Sequence, residues 1–387
     1  MTLTGMTWGH IRAMDPLVAS AREYSNTAEG CDVDWQVRDL RDFEHQSLAD
    51  IVRRVDMVVF DHPHCGMLAQ QGLFVPLDAL DALSAEHDAD FIGSSLSSYR
   101  YQNKQWGAPV DGATNHAVYR ADLLARLGLP LPQSWQQALV LGEAARRQGL
   151  YLAMAANAHH GLLAVAALCA NMGNPWREGE REGTLEIHRR TLAQAVDWLD
   201  KLMAFCPPQS IEWNSIALHN QMSLRDDLVY CPCVYGFAVY GEPGIYQHPL
   251  SFAGFAGVRA PYHAGSVLGG AAIGLSRYSR RQPQALRYLD WLMVDATQRG
   301  VIAGFHGQPG RVEAWNSPAL DKKFNGFFSA VRPSMESAWM RPRYAGYQEF
   351  ETRAGALLES HLRGRVGLDD AVDGLLALAV AHPANAG

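Results

Sequence analysis

The sequence contains no apolar run long enough to cross a membrane. Its longest apolar stretches lie around Leu162–Ala170 and Leu375–Ala381, far below the roughly 18 residues that a spanning helix needs. It also lacks a basic run interleaved with aromatic residues, and its net charge is −7. These absences argue against a membrane-spanning protein and against a nucleic-acid-binding protein.

Cysteine is scarce, with six residues scattered over a chain of 387. Cys231 and Cys233 are separated by one residue, which is a poor spacing for a mutual disulfide. We expect free thiols that pack as small apolar side chains. This expectation slightly favours a reducing compartment.

The sequence also lacks the short motifs that mark common enzymes. It has no Gly-x-Ser-x-Gly elbow, no phosphate loop ending in Gly-Lys-Ser/Thr, no His-Glu-x-x-His and no dinucleotide-binding fingerprint. Hydrolases and nucleotide-dependent enzymes therefore lose their usual support, whereas catalysis without a signature stays open. We expect no cofactor and no metal ion.

What the sequence does contain is the pattern of an α/β protein. A chain of 387 residues is too long for one ordinary core and predicts two compact units. In the stretch Leu268–Trp315, Gly269 and Gly270 lead into a short apolar run that is typical of a strand buried on both faces. A helix with Pro283 near its start follows, and a glycine-containing loop then ends at Arg311.

The first sixty residues predict strands that alternate with helices. Asp15 and Pro16 are expected to open a helix after the first strand, and Ser47 with Asp50 resembles a capping box. Met57–Phe60 is predicted to be a short buried strand. Ligands of such sheets bind beyond the carboxyl ends of the strands, so the loops at residues 7–12 and 61–65 are candidate binding loops.

Two helices are predicted in the middle of the chain. Ser134 is expected to cap a helix that carries Trp135. Apolar residues at three- and four-residue steps from Leu192 to Met203 predict a second, amphipathic helix that stops before Pro207.

Several stretches occur in the order found in the solute-binding proteins of ABC importers. They are Gly72–Asp78, Trp106–Pro109, Tyr119–Leu124, Gly128–Leu129 with Pro132–Trp135, and Gly307–Gly310 after the last strand and helix described above. Together they cover most of the chain. The sequence resembles the extracellular sugar-binding group that includes maltose-binding protein.

The resemblance implies a two-lobed periplasmic-binding-protein-like α/β fold, in which each lobe is a mainly parallel sheet flanked by helices. We expect lobe 1 at residues 1–110 and 259–310, and lobe 2 at residues 111–258 and 311–387, with a ligand cleft between them. The implied function is the solute-binding component of an ABC-type importer. It would bind a carbohydrate, a polyol or a sugar acid by hinge closure, as a monomer and without catalysis, and would deliver it to the transmembrane subunits of a permease.

The start of the chain conflicts with export. Residues 1–8 lead directly into the first predicted strand and show none of the features of a signal peptide. The resemblance implies a periplasmic or extracellular protein. We therefore expect either that a leader has been removed or that the protein works in the cytoplasm.

The loop after the first strand supplies the first candidate ligand residues. The ring of Trp8 could stack on the apolar face of a sugar, and Arg12 could pair with a carboxylate or bind hydroxyl groups. His10 lies between them. Alternatively, Trp8 packs in the core and Arg12 caps a surface.

The loop after the Met57–Phe60 strand supplies two more. Asp61 and His62 are candidates for hydrogen bonds to a ligand. Together with His64 and Cys65 they also have the chemistry of zinc ligands, but neighbouring side chains diverge and no second pair completes a site. An ordinary turn is the third interpretation.

The remaining candidates lie in both predicted lobes. Aromatic residues that could line a wall are Tyr230, Tyr235 and Phe237, although a buried aromatic stripe explains them equally. Candidates from the hinge and the glycine-containing segments are Asp111, Gly269, Gly270, Gln308 and Arg311. Arg341 and Arg343 come from a turn near the last helices. Four arginines near one ligand would favour an anion, and solvation at the surface is the alternative.

A second hypothesis keeps the two-lobed fold and changes the function. The missing leader motivates a cytosolic enzyme or ligand sensor. Its nucleophile or general base would come from His10, Asp61, His62 and Cys231.

Overall fold

The computed structural model describes residues 2–38 and 48–381. Its strands are β1 (Thr2–Trp8), β2 (Asp32–Arg38), β3 (Met57–Phe60), β4 (Phe74–Val75), β5 (Arg100–Tyr101), β6 (Lys104–Gln105), β7 (Ala108–Tyr119), β8 (Tyr151–Leu152), β9 (Arg177–Glu178), β10 (Leu185–Glu186), β11 (Leu228–Tyr235), β12 (Ser251–Ala253) and β13 (Leu268–Ser276).

The helices lie between these strands and, after β13, make up the rest of the chain. They are α1 (Ile11–Ser25), α2 (Leu48–Ile51), α3 (Cys65–Gln71), α4 (Ala121–Leu127), α5 (Trp135–Arg146), α6 (Ala158–Asn171), α7 (Arg189–Met203), α8 (Ser215–Leu224), α9 (Gln282–Leu292), α10 (Asp295–Thr297), α11 (Val312–Trp315), α12 (Pro318–Lys323), α13 (Phe327–Glu336), α14 (Tyr347–Leu362) and α15 (Leu368–Val380). Among the residues described, no helix is both long and apolar enough to cross a membrane.

The chain forms two compact units. Unit 1 consists of Met1–Ala113 and Gly269–Leu320, and unit 2 consists of Thr114–Leu268 and Asp321–Gly387. Each unit is thus built from separate stretches of the chain. The lobe bounds given by the sequence stay a prediction.

Unit 1 is built on a sheet buried on both faces. β1 pairs in parallel with β2 and β3, while β13 pairs antiparallel with β3 and β4. Met57 and Val59 of β3 face one apolar cluster, whereas Val58 and Phe60 face the other. The period of two in a strand therefore explains why β3 is a continuous apolar run.

Unit 2 is built on β11. This strand pairs antiparallel with β7 and in parallel with β8, and β12 adds to the other side of β7 in antiparallel direction. The helix α6 is buried on nearly all sides and packs against α7 and α14. An all-round apolar helix such as α6 is therefore a core element of unit 2.

The predicted α/β class agrees with these elements, but the sheets are more mixed than expected. Among the named strands of residues 2–38 and 48–381, the parallel pairs are β1–β2, β1–β3 and β8–β11. A buried apolar run shows that both faces of a strand are covered and carries no information on the direction of its neighbour. The expectation of mainly parallel sheets is therefore wrong for unit 2.

Most local predictions agree with the structure. The Ser134 hydroxyl caps α5 by accepting from the Gln137 N–H at 3.3 Å, and Pro283 lies in the first turn of α9. The exception is α1, which begins at Ile11 and is capped by His10, so that Pro16 lies inside it. Ser47 of the predicted capping box lies outside the described residues.

Candidate functional site

In unit 1, the loop after β1 is held by its own side chains. Trp8 is only 7% exposed and packs in the apolar cluster. The Nδ1 atom of His10 accepts from the Arg12 N–H at 3.1 Å and caps α1. Burial, together with the charge of Arg12, lowers the pKa of His10 to about 3. The core interpretation of Trp8 thus matches its position, and His10 is a neutral capping group at pH 7.

Arg12 and Asp111 form a buried ion pair. The Nε and Nη2 atoms of Arg12 donate to the two carboxylate oxygens of Asp111 at 2.9 and 2.5 Å. Both side chains are less than a tenth exposed. The pKa of Asp111 is raised on balance. Burial and the nearby Asp61 raise it, whereas the guanidinium of Arg12 lowers it. The pair therefore joins the loop after β1 to strand β7 and neutralises the charge of Arg12.

The loop after β3 lies near this pair. Asp61 accepts from the His62 N–H at 2.8 Å, and its carboxylate lies 3.1 Å from the Nδ1 atom of His62. The His62 ring is fully buried and meets the ring of Tyr99 edge-on, with centroids 6.2 Å apart. The carboxyl ends of β1 and β3 thus bring Arg12, Asp61 and His62 to the vicinity of Asp111.

Gly270 completes this part of unit 1. Its carbonyl oxygen accepts from the Tyr99 hydroxyl at 3.1 Å. Its φ is +103°, and a Cβ atom there would lie 2.3 Å from the carbonyl oxygen of Asp111. Glycine is therefore required because the backbone of β13 lies directly against that of β7.

The structure places Gln308 and Arg311 in other surroundings within unit 1. Gln308 is buried, and its Nε2 atom donates to the Gly112 carbonyl at 3.1 Å. Arg311 donates from Nε and Nη2 to the Met293 carbonyl at 2.9 and 2.6 Å, and it pairs with Asp90 and Asp295 at 3.3 Å each. Arg311 thus anchors its own loop and does not join the Arg12–Asp111 pair.

In unit 2, two of the three aromatic candidates are core residues. Tyr230 is fully buried in β11, and its hydroxyl donates to the Pro132 carbonyl at 3.1 Å. Phe237 packs on the ring of His219 at 5.4 Å. Tyr235, at the end of β11, is only partly buried and lies 6.3 Å from the ring of His160. The buried-stripe interpretation therefore describes the positions of Tyr230 and Phe237.

Arg341 forms the second buried ion pair. Its Nη1 atom lies 3.2 Å from Glu351 Oε1, and both side chains are less than a tenth exposed. The backbone N–H of Arg343 donates to Glu178 at 3.1 Å. Arg341 is close enough to His160 to lower the pKa of that ring, after burial and His159. Unit 2 therefore groups Arg341 with His160 and Glu351.

Sequence reasoning missed several residues of this second group. Tyr347 at the start of α14 is fully buried, and its hydroxyl has no hydrogen-bond partner among the residues described. The electrostatic interactions of this hydroxyl include Glu351, Arg341 and Tyr235. The adjacent pair His159–His160, in the first turn of the apolar helix α6, was the available signal for the histidines. Tyr347 had no such signal.

No metal site is evident in the part of the chain that the structure describes. Among residues 2–38 and 48–381, there is no group of three or more His, Cys, Asp or Glu side chains that could hold an ion. Asp61 and His62 instead form the local turn described above.

The chain thus forms two units, each built from separate stretches of an α/β chain, and comparison with solved structures identifies this class of fold. No family model matches the sequence. The structure, however, resembles solute-binding proteins over nearly the whole length of both chains. The predicted periplasmic-binding-protein-like fold is therefore confirmed.

Three particular structures illustrate the likeness. Maltose-bound MalE3 of T. maritima has a TM-score of 0.83 at 14% identity, covering 97% of this chain and 98% of its own. An ABC transporter solute-binding protein of Agrobacterium vitis S4 with bound D-mannitol has a TM-score of 0.77 at 16% identity, covering 98% and 97%. One of Agrobacterium radiobacter K84 in complex with ribitol has a TM-score of 0.78 at 20% identity, covering 98% of each chain. The TM-scores and the coverage, at identities this low, show a shared fold.

Proposed function

We propose that this protein is the solute-binding component of an ABC-type importer and that it binds a carbohydrate or a polyol. The observation that carries the proposal is the likeness in fold over 97–98% of both chains to proteins solved with maltose, D-mannitol and ribitol. The solute would be released unchanged to the transmembrane subunits of a permease. The predicted lobes and their closure by a hinge remain part of this proposal.

The charges of the candidate residues favour a neutral solute over a sugar acid. Arg12 is paired with Asp111, and Arg341 is paired with Glu351. Each guanidinium would need to leave a buried carboxylate before it could pair with an anionic ligand, and breaking such a pair is costly. Ion pairs of this kind can still exchange hydrogen bonds with vicinal hydroxyl groups.

The ligand contacts that we propose come from the two groups described above. Unit 1 would contribute Arg12, Asp61, His62 and Asp111, with Trp8 behind them. Unit 2 would contribute Tyr235, Arg341 and Tyr347. A buried hydroxyl without a partner, as in Tyr347, costs free energy that a ligand hydroxyl could recover.

The cytosolic enzyme hypothesis receives less support from its named residues. Burial raises the pKa of Cys231 to about 12, so its thiolate is scarce at neutral pH and the thiol is a poor nucleophile. His10, with its pKa near 3, is a weak base whose Nδ1 atom already accepts a backbone N–H. Neither residue therefore favours catalysis over binding.

Thermal unfolding of the protein, after removal of carried-over solute, tests the proposal. The panel would contain maltose, D-mannitol and ribitol beside the sugar acids galacturonate and gluconate. A ligand at a hundred times its Kd stabilises the folded state by about 2.7 kcal/mol, which raises the Tm by several degrees. We expect a shift with at least one neutral compound, which mass spectrometry then recovers unchanged.

A matched pair of variants locates the effect. Asp61→Ala should weaken binding of the stabilising compound at least about tenfold, because a charge-assisted hydrogen bond contributes about 1.5–3 kcal/mol. Asp81→Ala changes a carboxylate that is 95% exposed and should leave the affinity unchanged. A panel without any shift, a shift with sugar acids alone, or consumption of the compound would overturn the proposal.

A further inference from the structure

Three side chains of unit 2 form a hydrogen-bonded chain where two helices begin. Asn157 caps α6, His160 lies in the first turn of α6, and Ser215 is the first residue of α8. The Nδ1 atom of His160 lies 2.9 Å from Asn157 Oδ1, and its Nε2 atom lies 2.8 Å from Ser215 Oγ. The imidazole is thus held between an amide and a hydroxyl.

The geometry fixes where the protons lie. Asn157 Oδ1 also accepts the backbone N–H of His160 at 3.0 Å, so this atom is the amide oxygen and not the nitrogen. It must therefore accept from Nδ1, which carries the ring proton. The Nε2 atom is left with its lone pair, and the Ser215 hydroxyl donates to it.

The surroundings keep His160 in its neutral form. Burial lowers its pKa well below the ordinary value, and His159 and Arg341 add to the effect. The neutral ring is the form that can take a proton from Ser215. A low pKa also makes the ring a weak base, so any reaction that depends on it should be slow.

Ser215 is placed at the edge of the protein interior. Ser215 is 5% exposed, and the neighbouring His160 is 8% exposed. His159 and Ile216, next to them in the chain, are partly exposed. The N–H of Ile216 lies in the first turn of α8, where no carbonyl of the helix can accept it.

We propose that Ser215 is a reactive hydroxyl that takes the acyl group of a carboxylic ester, with His160 as its general base and Asn157 as the residue that orients the ring. This arrangement of nucleophile, base and orienting group is the one that activates serine in unrelated hydrolases. The inference goes beyond solute binding. Solutes without an ester would be released unchanged.

The reaction balances without any further reagent. Oγ of Ser215 forms a bond to the ester carbonyl carbon while Nε2 of His160 takes the hydroxyl proton. The bond from this carbon to the alcohol oxygen then breaks, and the departing alcohol takes that proton. Water, activated by the same nitrogen, hydrolyses the acyl-serine and releases the carboxylic acid.

A fluorophosphonate probe tests the nucleophile on the full-length protein. Its phosphorus would bond to Ser215 Oγ, fluoride would leave, and His160 would take the hydroxyl proton and pass it to water. We expect one phosphonate per chain, mapped to Ser215 by peptide mass spectrometry and absent from Ser215→Ala. Labelling should persist in Ser329→Ala, which removes an exposed hydroxyl of unit 2 that donates to the Gly326 carbonyl. No adduct over a day, or an adduct elsewhere, would overturn the proposal.

Two further variants test the roles of the partners. His160→Gln keeps a hydrogen-bonding side chain without a base and should abolish labelling, whereas an unchanged rate means that His160 is not the base. Asn157→Asp preserves the helix cap and adds a carboxylate that raises the basicity of the ring. It should label several-fold faster than the native protein, and an unchanged rate would mean that the group bonded to Nδ1 does not influence the base. Thermal unfolding of each variant verifies that it is folded.

Discussion

Among individual side chains, the pairing of Arg12 with Asp111 determines what the loop after β1 can offer a ligand. A free guanidinium in that loop would favour an anion, as the sequence alone suggested. The carboxylate that neutralises it comes from a residue 99 positions away. Because pairing at this separation depends on the fold, the sequence could supply the candidates but not their net charge.

The first prediction concerns the stability that this pair provides. Asp111→Ala leaves the buried Arg12 cation without its carboxylate and should lower the free energy of unfolding by about 3–5 kcal/mol. Replacing both partners, as Arg12→Met with Asp111→Leu, removes the charge as well as its partner. The free energy of unfolding of this double variant should lie within about 1 kcal/mol of that of the native protein. Urea denaturation monitored by circular dichroism measures all three proteins.

An exposed pair provides the control for that experiment. Arg332 and Glu336 lie one turn apart on α13, with side chains 35% and 48% exposed. Arg332→Ala should cost less than about 0.5 kcal/mol. If Arg332→Ala and Asp111→Ala lowered the free energy of unfolding equally, burial would not explain the effect of Asp111→Ala.

The second prediction concerns pH and His10. Its pKa of about 3 in the folded protein lies below the value of 6.5 in the unfolded chain. Between these values only the unfolded chain binds the proton, so the stability present above pH 6.5 is lost as the pH falls towards 3. His10→Asn retains a capping side chain and does not titrate. Between pH 7 and pH 4.5 the native protein should lose about 2–3 kcal/mol more than this variant, measured by urea denaturation at both values.

If the native protein and His10→Asn lost the same stability between pH 7 and pH 4.5, the titration of His10 would be contradicted. At pH 7 the two should be similarly stable, because asparagine caps helices at least as well as other residues do.

Among helices and strands, the sequence predicted types better than boundaries. It identified β3, α5, α7 and α9 from apolar period, capping residues and proline. It started α1 at Asp15 because Asp-Pro is a common opening, while the structure uses the imidazole of His10 five residues earlier. Histidine is not among the residues usually preferred at a helix N-cap, although His188 caps α7 in the same way.

The third prediction concerns Gly270 in β13. Gly270→Ala adds a Cβ atom 2.3 Å from the carbonyl oxygen of Asp111 at a φ of +103°. Strain and overlap with backbone should together cost at least about 2 kcal/mol. Gly300→Ala is the matched control, since a Cβ atom there meets no atom within 4 Å. It should be neutral or slightly stabilising in thermal unfolding, and similar effects of both changes would contradict the close approach of β13 to β7.

For the chain as a whole, the order of short stretches along the sequence was sufficient to predict the fold. The site was less accessible to such reasoning. Trp8, Tyr230 and Phe237 are apolar at positions where stacking and core packing have the same sequence signature, and the structure buries all three. Tyr347 was missed because nothing local distinguishes a tyrosine whose hydroxyl is left without a partner from one that packs in the ordinary way.

The six cysteines allow a final prediction about the intact protein. All of them are free, and only Cys31 is partly exposed. Burial raises the pKa of Cys31, and it raises that of Cys169 and Cys231 to about 12. Buried, protonated thiols react slowly. With a chromogenic disulfide reagent at pH 8, we therefore expect one thiol to react promptly in the folded protein and all six to react in 6 M guanidinium chloride.

Two variants and a reductant complete this test. Cys31→Ala should remove the prompt reaction, whereas Cys65→Ala, at a buried position, should leave it in place. A reductant should not change the Tm, because no disulfide constrains the unfolded chain. Fewer than six reactive thiols in denaturant without reductant would reveal a disulfide. This result would contradict the structure, in which all six cysteines are free.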